Sequence, residues 1–151
     1  MAEGILRSLL PQELAQVVRV SSAGTGTTEG LPATSLAIQV SADSKVDIKE
    51  HRSRPLTAAT LQASDLILAM EPQHIDYARG LCPEASSRIH LITEEGAAGA
   101  MAQDGVVDPM GGTAEQYRDT FHRIRSHLLG WIPVIKESVE RREGVRRSSE
   151  P

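Results

Sequence analysis

The spacing of hydrophobic positions along this chain changes several times, and the changes mark its elements. Met1, Ile5, Leu6, Leu9 and Leu10 recur at helical spacing, and Pro11 closes the pattern, which predicts an amphipathic helix over Met1 to Leu10. No N-cap residue precedes that helix, and Glu3 only partly offsets an amine at the positive end of its dipole. Parallel α/β domains usually begin with a strand. The opening therefore leaves two expectations: a frayed leading helix, or a strand and loop that belong upstream of it. Val17 to Ser21 is short and β-branched and reads as a strand. Pro32 opens a second helix over Ala33 to Asp43, with Leu36, Ala37 and Val40 on one face. Val46 to Pro55 is polar and loop-like, and Thr57 to Ala63 reads as a short helix. Leu66 to Met70 is a near-continuous apolar run, as in a strand covered on both faces. Pro72 starts a helix reaching about Gly80, and Arg88 to Ile92 is a further strand. Thr93 to Val107, rich in Gly and Ala, reads as loop with a helical fragment. Thr113 and Gln116 form a capping-box pattern ahead of the last long helix. Its buried stripe is Tyr117, Phe121, Ile124 and Leu128, and Gly130 and Pro133 are expected to break or kink it. From Arg141 the residues are charged or small, which predicts one domain over residues 1–140 and a disordered tail over 141–151. Strands alternating with helices predict a three-layer α/β sandwich, a parallel sheet flanked by helices. Ligands in such sheets sit beyond the carboxyl ends of the strands, here the loops after Ser21, Met70 and Ile92.

Composition narrows the function. At 151 residues the chain is one domain. Its 16 Lys and Arg against 20 Asp and Glu leave a net charge of -4, which argues against a general nucleic-acid partner. Aromatic residues make up 3%, too few for a base-stacking surface. The single cysteine, Cys82, excludes an internal disulfide and a multi-thiolate metal site. His74, His90, His122 and His127 have no metal-ligand spacing, so no metal is expected. No apolar run approaches the roughly 20 residues that cross a bilayer, and no signal-peptide pattern follows Met1, so the expected compartment is the cytoplasm, with no membrane partner.

Four segments carry candidate chemistry. Asp108-Pro109-Met110-Gly111-Gly112 precedes the capped helix: Pro restricts the Asp, and two flexible glycines follow. Such an Asp can hang over a site and deliver a proton, or the motif is a turn feeding a helix. Ser22-Ala23-Gly24-Thr25 follows a predicted strand and can offer N–H groups or hydroxyls to an anion, or is an ordinary turn. His51-Arg52-Ser53-Arg54-Pro55-Leu56 can steer a phosphorylated ligand, or is a solvated loop. Cys82 stands five intervening residues from Arg88, the count of a cysteine-phosphatase loop. The intervening Pro83-Glu84-Ala85-Ser86-Ser87 contains no glycine and carries a carboxylate that would repel phosphate. Cys82 therefore reads as a half-buried free thiol and its spacing as coincidence.

Taken in order, MAEGILRSLL, VRVSSAGTG, GLPA, VDIKEHRSRPL, SDLILAMEPQH, RIHLI and VVDPMGGTAEQYRDTFHRI resemble the low-molecular-weight protein tyrosine phosphatase family. The resemblance covers nearly the whole chain apart from the tail. The DP-x-GG form with its helix is closest to the bacterial branch, which includes protein arginine phosphatases. In that family a first strand and a Cys-x5-Arg-Ser/Thr-Pro loop run directly into a segment like Met1-Ala2-Glu3. Residues 1–151 contain neither. The resemblance thus implies an N-terminally truncated reading, with the first strand missing from between the strands matching Val17–Ser21 and Leu66–Met70. It implies a two-step reaction without metal or cofactor, in which a thiolate attacks phosphorus while amides and a guanidinium hold the equatorial oxygens. Asp108 would protonate the leaving oxygen and then act as base on water. Met110, Ser22 and His51 would line the substrate slot. Met110 stands where tyrosine-specific members often have an aromatic and gives up ring stacking, so no preference for phosphotyrosine follows. The implied partner is a phosphorylated protein or small phosphomonoester, with hydrolysis of phosphotyrosine or phosphoarginine through a cysteinyl-phosphate. The chain as it stands is expected to be inactive; the alternative is a catalytically dead phosphatase-like binding or regulatory module. Arsenate reduction on the same scaffold would need further reactive cysteines.

Overall fold

A computed structural model describes residues 1–94 and 104–148, with the backbone alone for 143 and 145–148. The expected loop over Thr93–Val107 lies largely outside the described residues. Helix α1 spans Ala2–Leu9 and ends where Pro11 requires it to. A second helix that the sequence pattern did not predict, α2, follows at once over Gln12–Val17. The strand expected over Val17 to Ser21 is absent: Val17 closes α2, and residues 18–21 pair with no neighbouring strand. Val18 is extended, with φ -94° and ψ 120°. A β-branched segment becomes a strand only when a neighbour takes up its N–H and C=O groups, and here the Val20 carbonyl accepts from the Arg7 guanidinium instead, at 2.8 Å.

Helix α3 covers Ser35–Asp43, with Thr34 as N-cap, its side chain accepting the Ala37 N–H. Thr57 caps the short α4 (Ala58–Gln62) in the same way. The strand β1 (Ile67–Ala69) leads into α5 (Pro72–Leu81), which carries Pro72 in its first turn. A 3₁₀ segment over Pro83–Arg88 then feeds β2 (Ile89–Leu91). The two strands pair in parallel, Ile67 opposite Ile89 and Ala69 opposite Leu91. Among the described residues the sheet has these two strands rather than three.

Alternation along β1 separates the helical layers. Ile67 packs with Leu61, Ala78, Cys82, Ala85 and Ile89, the α4–α5 side. Leu68 packs on the other side, against the core of Ile5, Val40, Phe121 and Leu128 and the Trp131 cluster. The sheet is flanked by helices on both faces, an α/β arrangement. Ile67 and Leu68 are only half-buried, so the apolar run is less completely covered than expected.

Helix α6 spans Ala114–Ser148 without interruption. It starts as its capping box requires and buries Tyr117, Phe121, Ile124 and Leu128. Neither Gly130 nor Pro133 breaks it. Pro133 deprives the Leu129 carbonyl of its partner, but Leu129 is on the exposed side, where water can replace it. The neighbouring Trp131 and Ile135 are buried, and the Trp131 indole N–H donates to the Ile92 carbonyl at 2.8 Å. That packing holds the helix through a residue that propensity alone would have made its end. The helix also continues past residue 140 to Ser148, where a disordered tail was expected. Arg142 pairs with Asp65, just ahead of β1, and i,i+4 pairs link Lys136 to Glu140 and Glu137 to Arg141.

Candidate active site

Asp108 stands in a loop fixed at both ends. At its start Gly105 adopts φ +71°, and a Cβ there would lie 2.2 Å from the Met70 carbonyl oxygen. Only a glycine lets the chain pass this close to the carboxyl end of β1. The Val106 N–H donates to that same Met70 carbonyl at 2.6 Å, and the Arg123 guanidinium donates to the Gly105 carbonyl at 2.9 Å. At the other end the Gly112 N–H donates to the Pro109 carbonyl at 2.8 Å. The Thr113 N–H donates to Gln116 Oε1 (2.7 Å) and the Gln116 N–H to Thr113 Oγ1 (3.3 Å), closing the capping box. Gly111 has φ +81°, and a Cβ on Gly112 would lie 2.9 Å from the Pro109 carbonyl oxygen as well as 2.4 Å from Gln116 Oε1. The two glycines after Asp108 are therefore demanded by a turn and a close approach, not kept for flexibility as the sequence suggested.

Between these anchors Asp108 is exposed, and its Oδ1 accepts the Met110 N–H at 3.0 Å, which shapes the turn. Met110 is 70% exposed beside it. An open concavity runs along Val107 to Gly112, with Gln116, Asp119 and Thr120 of α6 as its other wall. The Asp108 carboxylate also acts electrostatically on the start of α1. Burial lowers the pKa of the Met1 amino group there, and the carboxylates of Glu3 and Asp108 both act to raise it.

Ser22 and His51 converge on the same helix end, through a residue that sequence reasoning treated only as a dipole partner. The Glu3 side chain is 9% exposed. Its Oε2 accepts from Ser22 Oγ at 2.6 Å and lies 3.6 Å from His51 Nδ1, and its Oε1 lies 2.7 Å from Arg7. The i,i+4 spacing of Glu3 and Arg7 was legible; the meeting with Ser22 and His51 is tertiary and was not. Two loops carry those partners and are stitched together by Gly24 N–H to Arg54 carbonyl and Leu56 N–H to Gly24 carbonyl, both 2.9 Å, and by Gly30 N–H to Ser53 carbonyl at 2.8 Å. Glu3→Ala would strand the Ser22 hydroxyl, cost Arg7 its ion pair and remove a negative charge from the first turn of α1. The expected loss is about 2 kcal/mol, read by urea denaturation; a change under about 0.5 kcal/mol would mean that the carboxylate organises nothing.

Desolvation holds the His51 pKa below the ordinary histidine value of 6.5; Glu3 partly opposes this, while the Met1 amine, Arg54 and Arg7 reinforce it. Between the lowered value and 6.5 the unfolded chain binds more protons than the folded one, so stability rises with pH across that window. The contribution is complete above 6.5 and is lost as pH falls through the lowered value. His51→Gln is therefore expected to flatten the pH dependence of the melting temperature just below pH 6.5 relative to the parent chain. An unchanged profile would remove His51 as its source.

Cys82 lies on the other side of the sheet. It is 1% exposed, within the apolar cluster of Leu61, Ala78, Ala85 and Ile89. The Glu84 carboxyl is held below its usual range by backbone hydrogen bonding, by Gln62 and by the Cys82 thiol. Arg88 donates to the Ser64 carbonyl at 2.6 Å and the Gln62 carbonyl at 3.3 Å. The residues between Cys82 and Arg88 form a 3₁₀ turn rather than an anion cradle. Among the described residues no group of three or more His, Cys, Asp or Glu could hold a metal ion, and no helix is long and apolar enough to cross a membrane.

Comparisons with known proteins bear on what this arrangement does. The model of the family described as low molecular weight phosphotyrosine protein phosphatase matches residues 1–143. A curated relative, "Probable low molecular weight protein-tyrosine-phosphatase EpsP" of Ralstonia solanacearum, is 30% identical over 90% of this chain and 86% of its own length. Among solved structures, a low molecular weight protein tyrosine phosphatase from T. tengcongensis is 31% identical, covering 87% of each chain with a TM-score of 0.76. Wzb of Vibrio vulnificus, solved in complex with benzylphosphonate, is 27% identical over 87% of this chain and 86% of that one, with a TM-score of 0.74.

Proposed function

Because the chain belongs to the low molecular weight phosphotyrosine protein phosphatase family, we propose that Asp108 is the proton donor, and then the water-activating base, of a reaction that hydrolyses phosphomonoesters through a cysteinyl-phosphate. The substrate is a phosphorylated protein or a small phosphomonoester, with phosphotyrosine and phosphoarginine as the two classes to be compared. Both leave as poor leaving groups unless protonated, the one at oxygen and the other at nitrogen, and so both call for a placed acid. The observation that carries this reading is the doubly anchored loop that holds Asp108 exposed at the carboxyl end of β1, beside an open concavity, with its charge felt at the amino end of α1. That end is where, by family resemblance, a Cys-x5-Arg loop would join. The amides and guanidinium of such a loop would stabilise the equatorial oxygens, a charge that grows in the transition state. By this reading residues 1–151 do not themselves supply the nucleophile, which the burial of Cys82 on the far side of the sheet supports. The Glu3 network, with Ser22 and His51, would brace the wall of the pocket, and Met110 would offer an apolar but non-aromatic rim.

The test uses protein expressed from its own locus, with intact mass recorded, and compares phenyl phosphate with p-nitrophenyl phosphate. Asp108→Asn is expected to lower kcat on phenyl phosphate by about 10²-fold or more and to affect the better leaving group less, because p-nitrophenolate departs without a proton. Equal rates for parent and variant on phenyl phosphate would remove Asp108 from the mechanism.

A further inference from the structure

The residues that hold Asp108 in place lie outside the loop that bears it. Gly105 and Val106 are gripped from two sides: from β1 through the Met70 carbonyl, which accepts the Val106 N–H at 2.6 Å, and from α6 through Arg123, whose guanidinium donates to the Gly105 carbonyl at 2.9 Å. Arg123 lies two turns along α6 from Gln116, on the helix stripe that includes Asp119 and Thr120 and faces the loop across the concavity. Gln116 closes the loop's far end by accepting the Thr113 N–H. One face of α6 therefore holds both ends of the segment.

We propose that Arg123 is a positioning residue for Asp108: with the Met70 carbonyl it forms a two-point clamp on Gly105–Val106 that sets how far the carboxylate reaches. The catalytic part of this proposal rests on Asp108 being the proton donor; the clamp itself does not. A charged donor to a carbonyl is among the stronger hydrogen bonds, and an error of about 1 Å at a reacting group can cost on the order of 10²-fold in rate. Arg123 is itself exposed and leaves the core stripe intact, so its replacement tests the clamp rather than the fold.

Amide hydrogen exchange on residues 1–151 reads the clamp without any turnover. Arg123→Met is expected to speed exchange at the Val106 N–H by about 10-fold or more, with Phe121, Ile124 and Leu128 unchanged, and Arg123→Lys, which keeps a donor, to restore most of the protection. Unchanged exchange at Val106 overturns the proposal, as does acceleration spread through α6 that Lys does not rescue. In protein expressed from its own locus, Arg123→Met is expected to lower kcat on phenyl phosphate by about 10-fold at constant KM while sparing p-nitrophenyl phosphate. An equal loss on both substrates marks a merely structural role and overturns the proposal. If Asp108→Asn proves silent while Val106 still depends on Arg123, the proton-donor reading falls and the clamp stands.

Discussion

Gly105→Ala is expected to destabilise the chain by about 3 kcal/mol, lowering the melting temperature by roughly 10 °C. Two independent costs combine. The backbone at this position has φ +71°, a conformation that costs a residue with a Cβ roughly 1–2 kcal/mol. The added methyl would also meet the Met70 carbonyl oxygen at 2.2 Å and the Glu71 Cα at 2.9 Å. Both are backbone atoms at the junction of β1 and α5, so neither can swing aside as a side chain would. Relief requires the loop to back away from the sheet, which breaks the Val106 N–H bond to Met70 and with it a further 1 kcal/mol or so. Gly26 is the internal control. It has no positive φ, and a methyl group there would meet nothing within 4 Å, so Gly26→Ala should be neutral or slightly stabilising. A calorimetric loss below about 1 kcal/mol at Gly105, or equal losses at both glycines, would show that the close approach to β1 is not rigid.

Gly105 also marks the boundary of what could be read from the sequence. Local chemistry was legible: Pro11 ending α1, Pro72 opening α5, and Thr113 with Gln116 capping α6 all act within one turn of chain. The buried stripe of α6 was legible too, because helical period alone selects Tyr117, Phe121, Ile124 and Leu128. Features that depend on a distant partner were not. Val17 to Ser21 has strand composition but finds no ladder, and its first residue is taken into α2. Pro133 breaks helices in isolation, yet here it is carried by the packing of Trp131 and Ile135. The candidate site divides in the same way. Asp108 stood out by the company of Pro109 and the two glycines. Glu3, which gathers Ser22, His51 and Arg7, sits in an ordinary helical first turn and acquires its role only when two loops fold back onto it. Arg123 is still less visible, since nothing within four residues of it suggests a partner 18 residues upstream.

Residues 1–151 on their own are expected to leave p-nitrophenyl phosphate essentially unhydrolysed, on the order of 10⁶-fold below a chain that presents a thiolate to the substrate. On the proposed mechanism, a proton donor without a nucleophile has little to work on with this ester, because p-nitrophenolate leaves readily and the barrier lies in the attack on phosphorus. Asp108 could assist a water molecule as base, but without amides and a guanidinium around the phosphoryl group the developing charge would go unopposed. Cys82 is no substitute. A thiolate must approach phosphorus in line with the leaving oxygen, and Cys82 is enclosed by Leu61, Ala78, Ala85 and Ile89 with 1% of its surface exposed. Its companion in spacing, Arg88, is tied through Nη1 to the Ser64 and Gln62 carbonyls. Cys82→Ser should accordingly leave the background rate where it was. Turnover that disappears in Cys82→Ser would make this thiol the nucleophile and would require the α4–α5 layer to open during the reaction. Turnover that survives Cys82→Ser but fails in Asp108→Asn would mean that a water-based route operates at the amino end of α1, and the cysteinyl-phosphate would have to be abandoned.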